Sequence, residues 1–176
     1  MVNTARMLSL ETPLAAERLR QRSDSSHPEL WALLDQVMDP EIPALSIWQL
    51  GILQDVQCDG SVVEVTLTPT YSGCLAMHEI SVFVQKSLAA MGFAEVNVVT
   101  RLNPPWTTDA MTREARARLP EEGIAPPTPS SADEPLCCPR CDATAVTRIS
   151  AFSGTACRAM YRCSHCHEVF DHFKAI

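Results

Sequence analysis

Two Cys-x-x-Cys pairs near the end of the chain could hold one metal ion. The pairs are Cys138 with Cys141 and Cys163 with Cys166, and a short strand-rich insert separates them. Each pair can direct two thiolates at one ion from a single tight turn, and this spacing is typical of zinc ribbons. Because so short a segment cannot bury a large apolar core, we expect the metal to supply about 10 kcal/mol of its folding free energy. The sequence therefore predicts that residues 137–176 form a zinc ribbon, largely unfolded without metal.

The same four thiols are compatible with two other kinds of chemistry. Four cysteines would also hold a single iron, as in a rubredoxin-like electron carrier, so ligand type alone does not choose between zinc and iron. A disulfide framework would require an oxidising compartment. Charged residues interrupt the start of the chain at Glu11, Glu17, Arg18 and Arg20, so we expect neither an export signal nor a membrane span. A cytoplasmic protein with reduced thiols is the favoured interpretation.

Further potential ligands lie close to the two pairs. Cys137 could replace Cys138 with a longer spacer, but the two-residue spacer matches that of the second pair and is preferred. Cys157 lies in the insert, either as a core cysteine beneath the metal or as an extra thiol for an iron–sulfur cluster. His165 and His167 are surplus potential ligands.

The informative residue of the preceding domain is Cys74. It follows Gly73 at a point where a strand is predicted to end and a helix to begin. Backbone N–H groups and the positive end of the helix dipole could therefore lower its pKa and favour the thiolate, which ligates metal or attacks electrophiles. The alternative is a small buried apolar cysteine. The loop position and the adjacent glycine favour a functional thiol.

Two acidic residues and one histidine are further candidates for this site. Asp39 and Glu41 could bring two carboxylates near the Cys74 loop as groups that handle metal or protons. Turn chemistry explains them equally well, because Asp before Pro commonly ends a helix. His78 lies four residues after Cys74 and could act as its base, but no Asn or Asp is placed to orient it, and helical neighbours rarely form such pairs.

Charge is distributed unevenly along the chain. Residues 1–136 carry 9 Lys and Arg against 18 Asp and Glu, a net charge of −9, whereas residues 137–176 carry 5 against 3, a net charge of +2. Nucleic-acid binding depends on Lys and Arg that neutralise phosphates, so this acidic body disfavours a zinc-ribbon nucleic-acid binder. A protein partner is the better prediction.

The elements that must position the first site alternate between helices and strands. Two alternating runs, 52–57 and 62–68, flank Asp59-Gly60 and predict a β-hairpin. Periodic apolar residues predict one helix before the hairpin and one after it, and a third strand follows around Val96 and Val98. This order predicts a small α+β sandwich with helices against one face of a sheet. The apolar positions are Leu30, Leu33, Leu34, Val37 and Met38 in the first helix and Met77, Ile80, Val84, Leu88 and Met91 in the second.

Composition divides the chain into four segments. Residues 1–26 are polar and mixed, and we expect a flexible arm with at most a fraying helix. Residues 27–119 contain the α+β domain. Five of the thirteen prolines fall within residues 120–135, so residues 120–136 are predicted to be a semi-rigid Pro-rich linker before the ribbon at 137–176.

Six short motifs, taken together, resemble the PaaD family of phenylacetate-degradation proteins. The resemblance runs from about Leu30 to the end of the chain. The first domain is similar to the SufT-like module, which also occurs in eukaryotic cytosolic iron–sulfur targeting factors. The motifs are Asp39-Pro40-Glu41-Ile42-Pro43, Leu50-Gly51-Ile52, Thr68-Pro69-Thr70-Tyr71-Ser72-Gly73-Cys74, Pro104-Pro105-Trp106-Thr107-Thr108-Asp109, Gly123-Ile124-Ala125-Pro126-Pro127 and Phe170-Asp171-His172-Phe173-Lys174.

This resemblance implies an accessory role in aerobic phenylacetate breakdown. The family accompanies a multicomponent phenylacetyl-CoA epoxidase that has a di-iron oxygenase and a reductase with a [2Fe–2S] centre. The resemblance implies that the chain helps to mature that iron-dependent machinery. Cys74 matches the family cysteine of the SufT-like module, and Asp39 and Glu41 match its acidic motif. We expect no catalytic activity of the chain's own, structural zinc, and a transient iron–sulfur cluster or iron. The expected partners are epoxidase subunits or iron–sulfur assembly proteins, with Trp106 and the face of Arg113, Arg116 and Arg118 as a candidate client surface.

The alternative within this resemblance is a structural or rubredoxin-like electron-transfer subunit of the oxygenase, with iron at the four cysteines. The chain departs from the family at three positions. Leu75 stands where Pro is usual, Ala110 where Trp is usual, and Ala175 where a cysteine is usual. The first two are expected to alter packing only, whereas the third removes a possible further thiol from the ribbon.

Overall fold

The computed structural model describes residues 11–127 and 135–175. In these ranges it contains four α-helices and seven β-strands, with short 3-10 turns at Thr108–Ala110 and Leu119–Glu122. None of these helices is long and apolar enough to cross a membrane. The helices are α1 (Pro13–Ser23), α2 (Pro28–Leu34), α3 (Ala76–Ala90) and α4 (Arg113–Arg118), and the strands are β1 (Leu53–Asp59), β2 (Val62–Leu67), β3 (Glu95–Thr100), β4 (Ile124–Ala125), β5 (Val146–Ser150), β6 (Arg158–Cys163) and β7 (Val169–Phe173).

A three-stranded sheet with the order β1-β2-β3 forms the centre of the first domain. β1 and β2 pair antiparallel across the predicted Asp59-Gly60 turn, and β2 and β3 pair parallel with α3 as the crossover. The alternating residues Val63, Val65 and Leu67 are fully buried beneath the helices. The predicted α+β sandwich, with helices against one face of a small sheet, is therefore confirmed.

Helix α2 is shorter than its apolar pattern predicts. It ends at Leu34, and the backbone N–H of Ile47 donates to the carbonyl of Val37 at 3.0 Å. Met38 then pairs with Ser46 in an isolated antiparallel bridge. This bridge uses backbone groups that a longer helix would have used, and it shapes the loop that follows, which contains the two candidate carboxylates.

The described part of the predicted N-terminal arm contains a helix that packs on the first domain. This helix is α1, and the side chain of its Arg18 is only 4% exposed. Its guanidinium donates to the backbone carbonyls of Ala110, Trp48 and Leu53, and it stacks over the Trp48 ring at 4.3 Å. Burial, with a smaller contribution from the neighbouring Arg22, lowers the pKa of Arg18 to about 10. A basic residue in a polar segment gives no sign of this role, because its acceptors lie far away in sequence.

Replacing Arg18 by Met is expected to lower the free energy of unfolding by about 3 kcal/mol, because three buried carbonyls lose their donor. Urea unfolding of the metal-loaded protein, followed by circular dichroism, measures this change. The matched control is Arg20→Met on the same helix, whose side chain is 65% exposed, and its expected effect is within about 0.5 kcal/mol. Equal effects of the two substitutions would contradict the role of Arg18.

A second sheet, with the order β4-β7-β6-β5, forms the ribbon. Its first strand, β4, pairs parallel with β7 and lies inside the segment that the sequence predicts to be a linker. Ile124 and Ala125 are 5% and 1% exposed. The many prolines of this segment give no indication of a two-residue strand. The strand forms because it pairs with β7, about fifty residues later in the chain. The described part of this segment is thus built into the ribbon sheet.

The ribbon packs directly on the first domain. The rings of Trp106 and Phe173 lie 5.8 Å apart, and the indole N–H of Trp106 donates to the carbonyl of Leu50 at 3.0 Å. Phe173 and Cys157 belong to the same apolar core cluster as the first domain. The expectation that Trp106 and the whole arginine face meet a client is therefore wrong, since Trp106 and Arg116 are 4% and 5% exposed.

Candidate metal centre and cysteine site

The thiols of Cys138, Cys141, Cys163 and Cys166 converge at one end of the ribbon. Their four sulfur atoms all lie within 4.8 Å of one another. The Sγ atoms of Cys138 and Cys166 are 3.7 Å apart, and those of Cys141 and Cys163 are 3.6 Å apart. A tetrahedral ion with metal–sulfur bonds of about 2.3 Å requires sulfur–sulfur separations of about 3.8 Å. The donor set and its spacing therefore fit a tetrahedral thiolate metal site.

Two tight turns position these thiols. In the first, the N–H of Asp142 donates to the carbonyl of Cys138 at 2.9 Å, and Asp142 has a φ of 58°. In the second, which follows β6, the N–H groups of His165 and Cys166 point at the sulfur of Cys163 from 3.3 and 3.5 Å. The N–H of Cys166, helped by that of His165 and by the neighbouring thiols, lowers the pKa of Cys163 to about 6 although burial opposes it. These two N–H groups favour the thiolate form of Cys163, which is the form that binds metal.

The surplus ligands predicted from the sequence lie outside this group. The thiol of Cys137 donates to the carbonyl of Pro135 at 3.5 Å, and Cys138 rather than Cys137 joins the four sulfur atoms. His165 and His167 are exposed on the second turn. In the described ranges, the four cysteines are the group of metal-ligating side chains that the geometry brings together.

Cys74 occupies the turn that leads into α3, as predicted. Its N–H donates to the carbonyl of Tyr71 at 3.2 Å, and its own carbonyl accepts from Met77 at 3.4 Å. The thiol is partly exposed. Burial raises its pKa, the N–H of Ala76 lowers it, and the negative charges of Glu41 and other neighbours raise it further. The prediction of a lowered pKa is therefore wrong, because burial and the surrounding charges outweigh the end of the helix.

The two candidate carboxylates have different environments. Asp39 is 5% exposed, and one of its carboxylate oxygens accepts from the N–H groups of Glu41 and Ile42 at 2.9 and 2.8 Å. Turn chemistry therefore explains Asp39, although its charge also reaches Cys74. Glu41 is half-buried and makes the larger charge contribution at that thiol. Burial raises the pKa of both carboxyl groups. His78 is exposed on α3.

Cys157 lies where the ribbon meets the first domain. Its side chain is 5% exposed, its sulfur lies 3.1 Å from the hydroxyl oxygen of Thr155, and its carbonyl accepts from the N–H of Lys174 at 2.9 Å. Burial raises its pKa most, and the charge of Glu41 raises it further. The structure places Cys157 in a core shared by both domains, so the alternative of a core cysteine beneath the metal is wrong. The alternative of an extra thiol for an iron–sulfur cluster stays a prediction. The sequence pattern contains no signal for the position of Cys157 in the shared core.

Comparison with known proteins identifies both domains. Residues 28–100 match the family model described as an iron–sulfur cluster assembly protein, and residues 124–174 match the PaaD zinc beta ribbon domain. A crystal structure of a domain of unknown function, DUF59, from Bacillus anthracis superposes with a TM-score of 0.50 and 32% identity. The match covers 57% of this chain and 95% of that one. The fold and the four-cysteine site therefore define a two-domain protein in which a SufT-like domain precedes a metal-binding zinc ribbon.

Two curated relatives match the chain at the level of sequence. One, from Escherichia coli strain K12, is named as a putative subunit of 1,2-phenylacetyl-CoA epoxidase and is 47% identical over 84% of this chain and 92% of its own length. The other, "Fe-S protein maturation auxiliary factor YitW" of Bacillus subtilis strain 168, is 39% identical over 49% of this chain and 85% of its own length. The chain belongs to the PaaD family. The resemblance noted from its motifs is thereby confirmed.

Proposed function

We propose that this protein is an accessory maturation factor for a phenylacetyl-CoA epoxidase. In this role Cys74 transiently binds iron or an iron–sulfur cluster and passes it to an epoxidase subunit. The ribbon, with zinc at its four cysteines, is a structural part of the factor. The chain itself carries out no oxygenation.

The names of the two relatives support different halves of this proposal. The relative that matches most of the chain is named as an epoxidase subunit, which supports a partner in that complex. The relative that matches about half of it is named as a maturation factor for iron–sulfur proteins. The matched iron–sulfur assembly model spans residues 28–100 and includes Cys74, Asp39 and Glu41.

The observation that carries the proposal is the partly exposed thiol of Cys74 at the turn into α3, inside the segment that matches the iron–sulfur cluster assembly model. The charges of Glu41 and Asp39 both act on the thiol. They disfavour a bare thiolate but favour a bound cation, and sulfur is the ligand that iron–sulfur clusters prefer. Leu75, next in the chain, is 87% exposed. A partly exposed thiol beside an exposed apolar side chain suits transfer to a protein partner.

Replacing Cys74 by Ser is expected to leave the fold intact and to reduce severalfold the cluster content of the epoxidase reductase made in the same cells. The serine hydroxyl occupies nearly the same volume but is a poor ligand for iron–sulfur clusters. Iron and sulfide analysis of the purified reductase measures the effect. Cys58→Ser is the matched control, because this thiol on β1 contacts the carbonyl of Gly60 at 3.6 Å in the hairpin turn. Unchanged reductase clusters with Cys74→Ser would refute the role of Cys74.

A further inference from the structure

Strand β3 is an edge strand whose outer side pairs with no other strand in the described ranges. Its parallel register with β2 is unbroken, from Val62 opposite Glu95 to Leu67 opposite Thr100. Three of its six residues are valine, a residue with high β propensity, and it contains neither proline nor lysine. A regular edge strand of this kind is a template for pairing with another chain.

The other three edge strands of the two sheets carry features that hinder such pairing. The register of β1 shifts between Leu53 and Asp55, and the guanidinium of Arg18 from α1 donates to the carbonyl of Leu53 at 2.8 Å. In the ribbon sheet, β4 has only two residues, and the register of β5 shifts between Arg148 and Ser150. Bulges, short length and a covering helix are ways in which natural edge strands avoid other chains. The regular six-residue strand β3 lacks these protections.

The backbone groups of alternate residues of β3 point away from β2. The N–H of Glu95 donates to the carbonyl of Ser61 at 3.4 Å, and the N–H of Arg101 donates to the carbonyl of Leu67 at 2.8 Å. Because backbone groups alternate in direction along a strand, the odd-numbered residues direct theirs to β2 and the even-numbered residues direct theirs outward. The outward-pointing N–H and C=O groups belong to Val96, Val98 and Thr100.

A second copy of β3 can pair with these groups in an antiparallel register that also joins opposite charges. Residues that exchange two hydrogen bonds face each other in an antiparallel pair, so an outward-pointing residue must face another one. When Val98 faces Val98 of the second copy, Val96 faces Thr100. The same register places Glu95 opposite Arg101 at both ends of the paired strands. A shift of two residues in either direction separates these charges and shortens the paired stretch.

The side chains on both faces of β3 suit this register. Val96 and Val98 pack against the core cluster of the first domain but are only partly buried. Facing a second copy would cover their outer sides and continue the apolar layer across the two chains. On the other face of the sheet, the side chain of Arg101 is 60% exposed and contacts Glu64 of its own chain only at 3.9 Å. Glu95 is exposed as well, so each copy offers both charges that the other one needs.

We propose that β3 is a self-association surface, through which two copies of this chain form a two-fold symmetric dimer with one continuous sheet. The two-fold axis passes between the Val98 residues, and ion pairs between Glu95 and Arg101 lie at both ends of the interface. A strand pair buries less surface than a standard interface, so we expect the dimer to dissociate on dilution. The inference goes beyond the proposed function and does not depend on the role of Cys74.

Sedimentation velocity of the full-length, zinc-loaded protein with a reductant present tests this surface. Wild-type protein is expected to change from monomer to dimer as its concentration rises from about 1 µM to about 200 µM. Glu95→Arg and Arg101→Glu each place like charges at both ends of the paired strands, and each is expected to weaken the dimer about tenfold. Both side chains are exposed, and circular dichroism checks that the fold is retained. The matched control is Glu79→Arg at an exposed position of α3, which is expected to dimerise like the wild type.

A mixture of the two variants tests the register itself. In an equimolar mixture of Glu95→Arg and Arg101→Glu, one copy carries two cations at these positions and the other carries two anions. The antiparallel register then places opposite charges at both ends again. The mixture is therefore expected to dimerise about as strongly as the wild type, although each variant alone does not.

Three results would overturn the inference. A wild-type protein that stays monomeric at every concentration would show that the edge of β3 does not bind a second copy, whatever other protein it pairs with. A dimer that neither charge reversal weakens, or that Glu79→Arg weakens equally, would show that a different surface holds the copies together. Failure of the mixture to restore the dimer would refute the antiparallel register. None of these results bears on the proposed function, which the Cys74→Ser experiment tests separately.

Discussion

Replacing Cys163 by Ser is expected to abolish metal binding by the ribbon and to unfold it. Cys163 is one of the four cysteines whose sulfur atoms converge, and its sulfur accepts from two backbone N–H groups. A structural zinc contributes about 10 kcal/mol to the folding of such small modules. Their small apolar cores cannot replace that contribution.

Elemental analysis and tryptophan fluorescence measure this effect. Wild-type protein is expected to contain about one zinc per chain, and the variant almost none. Because Trp106 packs on Phe173 of the ribbon, its emission is expected to shift to longer wavelength when the ribbon unfolds. Cys137→Ser is the matched control and is expected to keep both properties. Iron in place of zinc in the wild type would support the electron-transfer alternative, and a variant that retains its metal would contradict the assigned ligand.

Replacing Gly51 by Ala is expected to destabilise the first domain by about 4 kcal/mol, which combines the cost of a left-handed backbone with that of overpacking. Gly51 has a φ of +78°, and an added Cβ would lie 2.7 Å from both the Cβ and the carbonyl oxygen of Ala110. That carbonyl also accepts a hydrogen bond from buried Arg18. The backbone around Ala110 therefore cannot move away without the loss of that contact.

Gly60 provides a control that separates the two costs. It has a φ of +60°, but an added Cβ would meet nothing within 4 Å. Gly60→Ala is therefore expected to cost only about 1 kcal/mol, the strain of the left-handed backbone alone. Urea unfolding of both variants compares them. Equal losses of stability would mean that the close approach to Ala110 has no energetic consequence.

Local sequence patterns predicted several elements correctly. The Asp59-Gly60 turn and its alternating strands predicted the hairpin, and the helical spacing from Met77 to Leu88 predicted α3. Both predictions depend only on residues that lie close together in sequence. The two Cys-x-x-Cys pairs likewise predicted the metal-ligating group, because each tight turn positions its own two thiols and the spacing of the pairs is typical of one four-cysteine site.

Other features depend on contacts between distant residues, and only the tertiary structure decided them. The burial of Arg18, the strand at Ile124–Ala125 and the buried position of Trp106 all require partners far away in sequence. The sign of the pKa shift at Cys74 is a similar case, because burial and the charges of another loop outweigh its local helix end. The sequence by itself thus determined the hairpin, α3 and the thiols of the ribbon. The packing of the two domains decided which side chains are buried and which charges act on Cys74, since burial and charge act through space rather than along the chain.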